Sequence, residues 1–174
     1  PPTVEYGLRA FVMEGNSMPQ VSAGLFGSAG TSIELSIGDR CARSHLAESV
    51  GGTSKWYEEL TISGLEYPDD VTQLPDIFIN LVSGENGEDR LSYYRIPVMS
   101  ADGTFNSRDL HSLNSMYDPL SNLPRGRWFS LKRDVFGKLG SGYYPGTVLL
   151  CVAFGRVDQQ EIGTRSVHPT AMRR

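Results

Sequence analysis

Between Leu74 and Pro97 apolar and polar positions alternate as they do in two extended segments. Ile77, Ile79 and Leu81 share one face of the first segment, with Phe78, Asn80 and Val82 on the other. A Gly-rich acidic turn, Ser83-Gly-Glu-Asn-Gly-Glu-Asp89, follows. The next run, Arg90-Leu-Ser-Tyr-Tyr-Arg-Ile-Pro97, is rich in residues that favour strands. The pattern predicts two strands joined by an exposed, negatively charged tip.

Other runs extend it. Leu8, Ala10 and Val12 share one face of the first, and Ile33, Leu35 and Ile37 one face of the second, with Ser32, Glu34 and Ser36 pointing away. A weaker run covers 40–46, and another starts at Trp56 and passes through Leu60 and Ile62. Trp128 to Lys132 gives a short seventh run, and Val148 to Phe154 a strong eighth. Eight short strands parted by Gly, Pro, Ser and Asp clusters predict an all-β fold, an eight-stranded antiparallel β-sandwich.

Two stretches fall outside this ladder. Residues 98–127 form a long insertion before the seventh strand. Within it Ser107 as N-cap, with Leu110 and Leu113 on one face, predicts a short helix near 107–116. Residues 1–157 are read as the sandwich and 158–174 as a polar tail or linker.

Composition narrows the function classes. A chain of 174 residues, 39% of them hydrophobic, can bury one core of its own. No stretch approaches the roughly 18–20 consecutive apolar residues that cross a bilayer as a helix. The chain begins with proline and no leader precedes it, so it is expected to be a piece of a larger protein. A net charge of −4 argues against a nucleic-acid partner. Residues 56–89 carry acidic side chains and neither Lys nor Arg, whereas 125–138 gathers Arg125, Arg127, Lys132, Arg133 and Lys138 against Asp134 alone. Either a solvated surface of mixed sign or an interaction site accounts for this. Two cysteines, Cys41 and Cys151, are too few for a disulfide framework, and both fall in predicted strands where a buried thiol is expected.

The order of the runs resembles a known family. Tyr6-Gly-Leu-Arg-Ala-Phe-Val-Met-Glu-Gly15 and Thr31-Ser-Ile-Glu-Leu-Ser-Ile-Gly38 look like the opening strands of a C2 domain. Trp56-Tyr-Glu-Glu-Leu-Thr-Ile-Ser-Gly-Leu-Glu-Tyr67, then Leu74-Pro-Asp-Ile-Phe-Ile-Asn-Leu-Val82, are similar to the fourth and fifth strands of C2 domains in ferlins. Arg95-Ile-Pro97, Arg127-Trp-Phe-Ser-Leu131 and Gly146-Thr-Val-Leu-Leu-Cys-Val-Ala-Phe154 complete the likeness, which leaves out the insertion and the tail. The resemblance implies C2-like type II topology and a part in vesicle docking and membrane fusion. It also implies a place on the cytoplasmic side of a membrane within a larger, membrane-anchored protein. Implied partners are membrane phospholipid, bound weakly, and protein partners or neighbouring domains.

In calcium-dependent C2 domains several aspartates from the first and third loops surround the ion, which needs six to eight oxygens. Here the first loop, Asn16 to Gly30, contains no Asp or Glu, and Ser22 stands at such a position. The third loop offers Ser83 and Glu85 where aspartates are expected, with Glu88 and Asp89 beside them. These degenerate positions predict no metal and no cofactor. The first loop also presents Leu25 and Phe26 among small residues. They either insert into lipid or fold back over the open end of the sandwich. Arg125, Arg127, Lys132, Arg133 and Lys138 are the basic candidates for contact with anionic lipid.

Catalytic chemistry finds little. His45, His111 and His168 are scattered, and no Gly-x-Ser-x-Gly elbow or phosphate loop is present. Glu58 and Glu59 are adjacent and point to opposite faces, a poor acid–base pair. The chain is read as not an enzyme. Two other functions remain open: an interdomain or protein–protein scaffold without lipid binding, and a ligand-binding sandwich such as a lectin.

Overall fold

Every alternating run becomes a strand, and the run at 128–132 yields two. The computed structural model describes residues 2–21, 30–140 and 142–158. The strands are β1 (Thr3–Asn16), β2 (Thr31–Ile37), β3 (Arg40–Arg43), β4 (Ser54–Pro68), β5 (Ile77–Ser83), β6 (Asp89–Ile96), β7 (Arg127–Ser130), β8 (Lys132–Arg133) and β9 (Thr147–Arg156). They form two antiparallel sheets, ordered β4-β1-β9-β7 and β3-β2-β5-β6-β8. The inward faces foretold by alternation meet between them: Leu8, Ala10, Val12, Ile33, Leu35, Ile37, Ile77, Ile79 and Leu81 are all fully buried. Burying a Leu or Ile contributes about 1.5–3 kcal/mol each, which is what holds the layers together.

Alternation fails where the backbone slips. In β4 the even-numbered Trp56, Leu60 and Ile62 face the core, and then the odd-numbered Leu65 does. The change occurs at Gly64, whose φ of 68° makes a bulge: Leu8 pairs with Ile62, but Tyr6 pairs with Leu65. A left-handed backbone is easiest for glycine.

Three expectations are corrected. The seventh strand is split at Leu131: Arg127–Ser130 pairs with β9, while Lys132 and Arg133 cross to pair with β6 in the other sheet, giving nine strands instead of eight. The insertion contains no α-helix near 107–116. One helical hydrogen bond forms, from Leu110 N–H to Asn106, and the ladder then stops because His111 donates to Val152 and its carbonyl accepts from Phe154. Thus β9 takes the backbone groups a helix would need. Finally, Cys41 is exposed, since β3 is a four-residue edge strand and turns it outward, whereas Cys151 is buried.

The insertion has a structural task. Leu113 and Met116 cover Cys151 and Ala153 on the outer face of the four-stranded sheet, with Phe11 and Tyr117 packed beside them. That is why β9 reads as an unbroken apolar run, for both its faces are covered. A buried carboxylate pins the segment. Asp109 receives a hydrogen bond from Asn106 Nδ2 at 3.2 Å and pairs with Arg127, whose guanidinium lies 3.9 Å from the Phe129 ring centroid.

Candidate functional site

Register collects the loops at one end of the sandwich. Asn16 pairs with Thr147, Gly15 with Ser54, Thr31 with Ser83, and Ser83 with Asp89. Residues 17–21 and 30 of the first loop, the β3–β4 connection (44–53), the third loop (84–88) and the described residues of the β8–β9 connection (134–140 and 142–146) therefore share this end. The loops are tied together by backbone bonds: Met18 N–H to Gly52 at 3.0 Å, and Thr31 and Ala47 bonding reciprocally at 3.0 and 2.9 Å.

The third loop is occupied by its own neighbours. Arg43, at the end of β3, donates from its guanidinium to the Asn86 carbonyl. Glu88 accepts the Asn86 N–H at 3.3 Å, and Asp89 pairs with Lys138 at 3.2 Å. Beside them Glu58 receives the His45 backbone N–H at 3.0 Å and lies 2.8 Å from its Nδ1. Ser83 is buried at the strand end. Glu85 lines an open cleft with Ser32, Cys41, Arg43 and Ser44. Among the described residues no group of three or more His, Cys, Asp or Glu is placed to hold a metal ion.

The basic candidates fall into two groups. Lys132, Arg133 and Lys138 lie toward the loop end, where Arg133 donates to the Leu139 carbonyl at 3.5 Å and Lys132 is exposed. Arg127 sits farther along, opposite Leu150, held by Asp109. Arg125 lies beyond it, its N–H bonded to Met116. The sheet change at Leu131 separates the two groups. Ser22, Leu25 and Phe26 lie outside the described residues.

Alternation could not find two further features. Arg43 reaches the third loop only through the antiparallel arrangement of β3, β2 and β5. In the β8–β9 connection Val135 is 66% exposed and Phe136 96%, with Tyr143 and Tyr144 also exposed. The adjacent pair Val135-Phe136 after a Lys-Arg-Asp was the available signal, for a turn flanked by charge seldom carries two large apolar residues. Away from this end, an apolar cleft of about 480 Å³ between the insertion and the sandwich is lined by Tyr6, Leu74, Met99, Phe105 and Leu113.

Solved structures share this architecture. A C2 domain of plant Extended Synaptotagmin 1 superposes with a TM-score of 0.52 at 9% identity, covering 90% of this chain and 98% of that one. The fold is that of a C2 domain. A C2 domain-containing protein from a putative elicitor-responsive gene matches at a TM-score of 0.50 and 11% identity, covering 90% of this chain and 94% of that one. A pair of C2 domains from Extended-Synaptotagmin 2, with calcium bound, matches at a TM-score of 0.51 and 14% identity, covering 88% and 43%. This C2 fold spans 28% of a longer Extended-Synaptotagmin 2 chain that also holds an SMP domain. No protein-family model matches the sequence, and no curated protein does.

Proposed function

We propose that this chain is a non-catalytic, calcium-independent C2 module of a ferlin-like protein. It contacts phospholipid weakly, on the cytoplasmic side of a membrane, in vesicle docking or fusion. The observation that carries the calcium reading is Arg43. Its guanidinium donates to the Asn86 carbonyl of the third loop, which sets a positive charge beside a loop whose carboxylates a divalent ion would need. Glu88 and Asp89 are already engaged by the Asn86 N–H and by Lys138. The ferlin reading is supported by the order and spacing of the strand sequences, and the C2 fold accords with it.

Weakness follows from magnitudes. Each fully inserted apolar side chain contributes about 1.5–3 kcal/mol, and each basic residue near anionic lipid about 1 kcal/mol. Association costs offset much of that sum. Stable attachment then depends on further domains acting together.

The test has two parts. Calorimetric titration with calcium into the millimolar range should give no heat beyond dilution, and co-sedimentation with phosphatidylserine-containing vesicles should be the same in calcium and in chelator. Binding at about 10 micromolar, or pelleting that requires calcium, contradicts the reading. Phe26→Ser should reduce pelleting if the first loop inserts.

A further inference from the structure

We propose that the turn at 134–137 is a membrane anchor that places Val135 and Phe136 in the interfacial layer of an anionic phospholipid bilayer. This deepens the lipid reading above and rests on it, but it assigns the apolar contact to the β8–β9 connection, for which the sequence suggested only the basic Lys138, and not to Leu25 and Phe26 of the first loop.

Rigid display is the first argument. Asp134 donates its N–H to the Leu91 carbonyl at 3.0 Å, tying the turn to β6. Its carboxylate accepts the Phe136 N–H at 3.0 Å and Arg90 Nε at 3.0 Å. Gly137 closes the turn with an N–H to the Asp134 carbonyl at 2.9 Å. It sits so close to β6 that a Cβ at this position would collide with the Arg90 carbonyl. Arg90 is itself stacked 4.4 Å from the Tyr93 ring centroid. With the base fixed on so many sides, the apex residues are held outward, and Phe136 stays 96% exposed.

Chemistry of the surroundings is the second. Tyr143 (58% exposed) and Tyr144 (76%) belong to the same connection, and tyrosine favours the boundary between headgroups and acyl chains. Lys132 is exposed just before the turn, and Lys138 just after it is 76% exposed despite its pairing with Asp89. Both lie where lipid phosphates would meet them. Glu85 and Glu88 of the neighbouring loop, with Asp89 at the start of β6, limit this attraction, so apolar insertion dominates and salt weakens binding only modestly.

Shape selects lipid over protein. Two adjacent side chains on a convex turn offer far less than the roughly 800 Å² per partner of a stable protein interface. A bilayer needs no complementary pocket.

The test is co-sedimentation of the 174-residue chain with phosphatidylcholine vesicles containing phosphatidylserine. Phe136→Ser should lower the partition coefficient about tenfold, and the Val135→Ser/Phe136→Ser double variant further. Leu120→Ser, which removes an equally exposed apolar side chain from the insertion, should leave it unchanged. Equal pelleting of wild type and double variant overturns the anchor and leaves the lipid reading standing. No pelleting of the wild type overturns both. A second readout places a polarity-sensitive dye on Phe136→Cys in a Cys41→Ser background. Its emission should shift to the blue on adding vesicles, and an unchanged spectrum rejects insertion.

Discussion

At the residue scale the two thiols differ through burial alone. Cys151 lies under Met116, donating to its carbonyl, and burial pushes its thiol up to about 11. Cys41 faces water on an edge strand. Because the thiolate is the reactive form, a maleimide at neutral pH should label Cys41 in minutes and leave Cys151 unmodified until the chain is unfolded. Mass spectrometry of the labelled protein checks this. Asp134 offers a pH prediction. The hydrogen bond from Arg90, then that from the Phe136 N–H, hold its carboxyl below the ordinary aspartate value. A folded-state value lower than the unfolded one stabilises the fold at pH above the unfolded value, and the benefit is lost as pH falls through the folded value. The stability gap between wild type and Asp134→Asn in urea should therefore be present near neutral pH and close in acid. A carboxyl-carbon NMR titration should find Asp134 ionising below an unpaired aspartate, and Arg90→Ala should raise its midpoint.

At the element scale, irregularities direct the strands. A Cβ added at Gly64 would have nothing within 4 Å, so Gly64→Ala tests backbone conformation without a clash. It should cost about 1 kcal/mol in chemical denaturation, the expense of an L-residue in the left-handed region. The insertion is held differently. Asp109 is 1% exposed and receives Arg127, Asn106 and the Tyr94 hydroxyl. Asp109→Ala leaves that guanidinium without its carboxylate. Since Arg127 is 40% exposed at its side chain, water compensates in part, and the loss should be roughly 2 kcal/mol, read from urea unfolding. The helix expected at 107–116 illustrates the same competition: Leu110, Leu113 and Met116 are buried as an apolar face should be, but they reach the sheet on turns.

At the scale of the whole molecule, a ligand that binds only the folded state raises its stability, by about 2.7 kcal/mol at a hundredfold excess over Kd. Melting temperature should therefore not move when calcium is added to millimolar levels, a check by differential scanning calorimetry that is independent of binding heat.

How much could be read beforehand depends on the range of each interaction. Strand positions and core faces were legible because side chains on an extended chain alternate with a period of two, a rule that needs only neighbours in sequence. Ile33, Leu35 and Ile37 faced inward as alternation required. The sequence by itself thus determined an all-β sandwich and its inner faces. Tertiary structure alone decided which loops meet, because sheet order and register join residues far apart in the chain. Arg43 lies against Asn86, Arg127 joins Asp109 instead of Lys132 and Lys138, and Phe136 is held in water by contacts with β6.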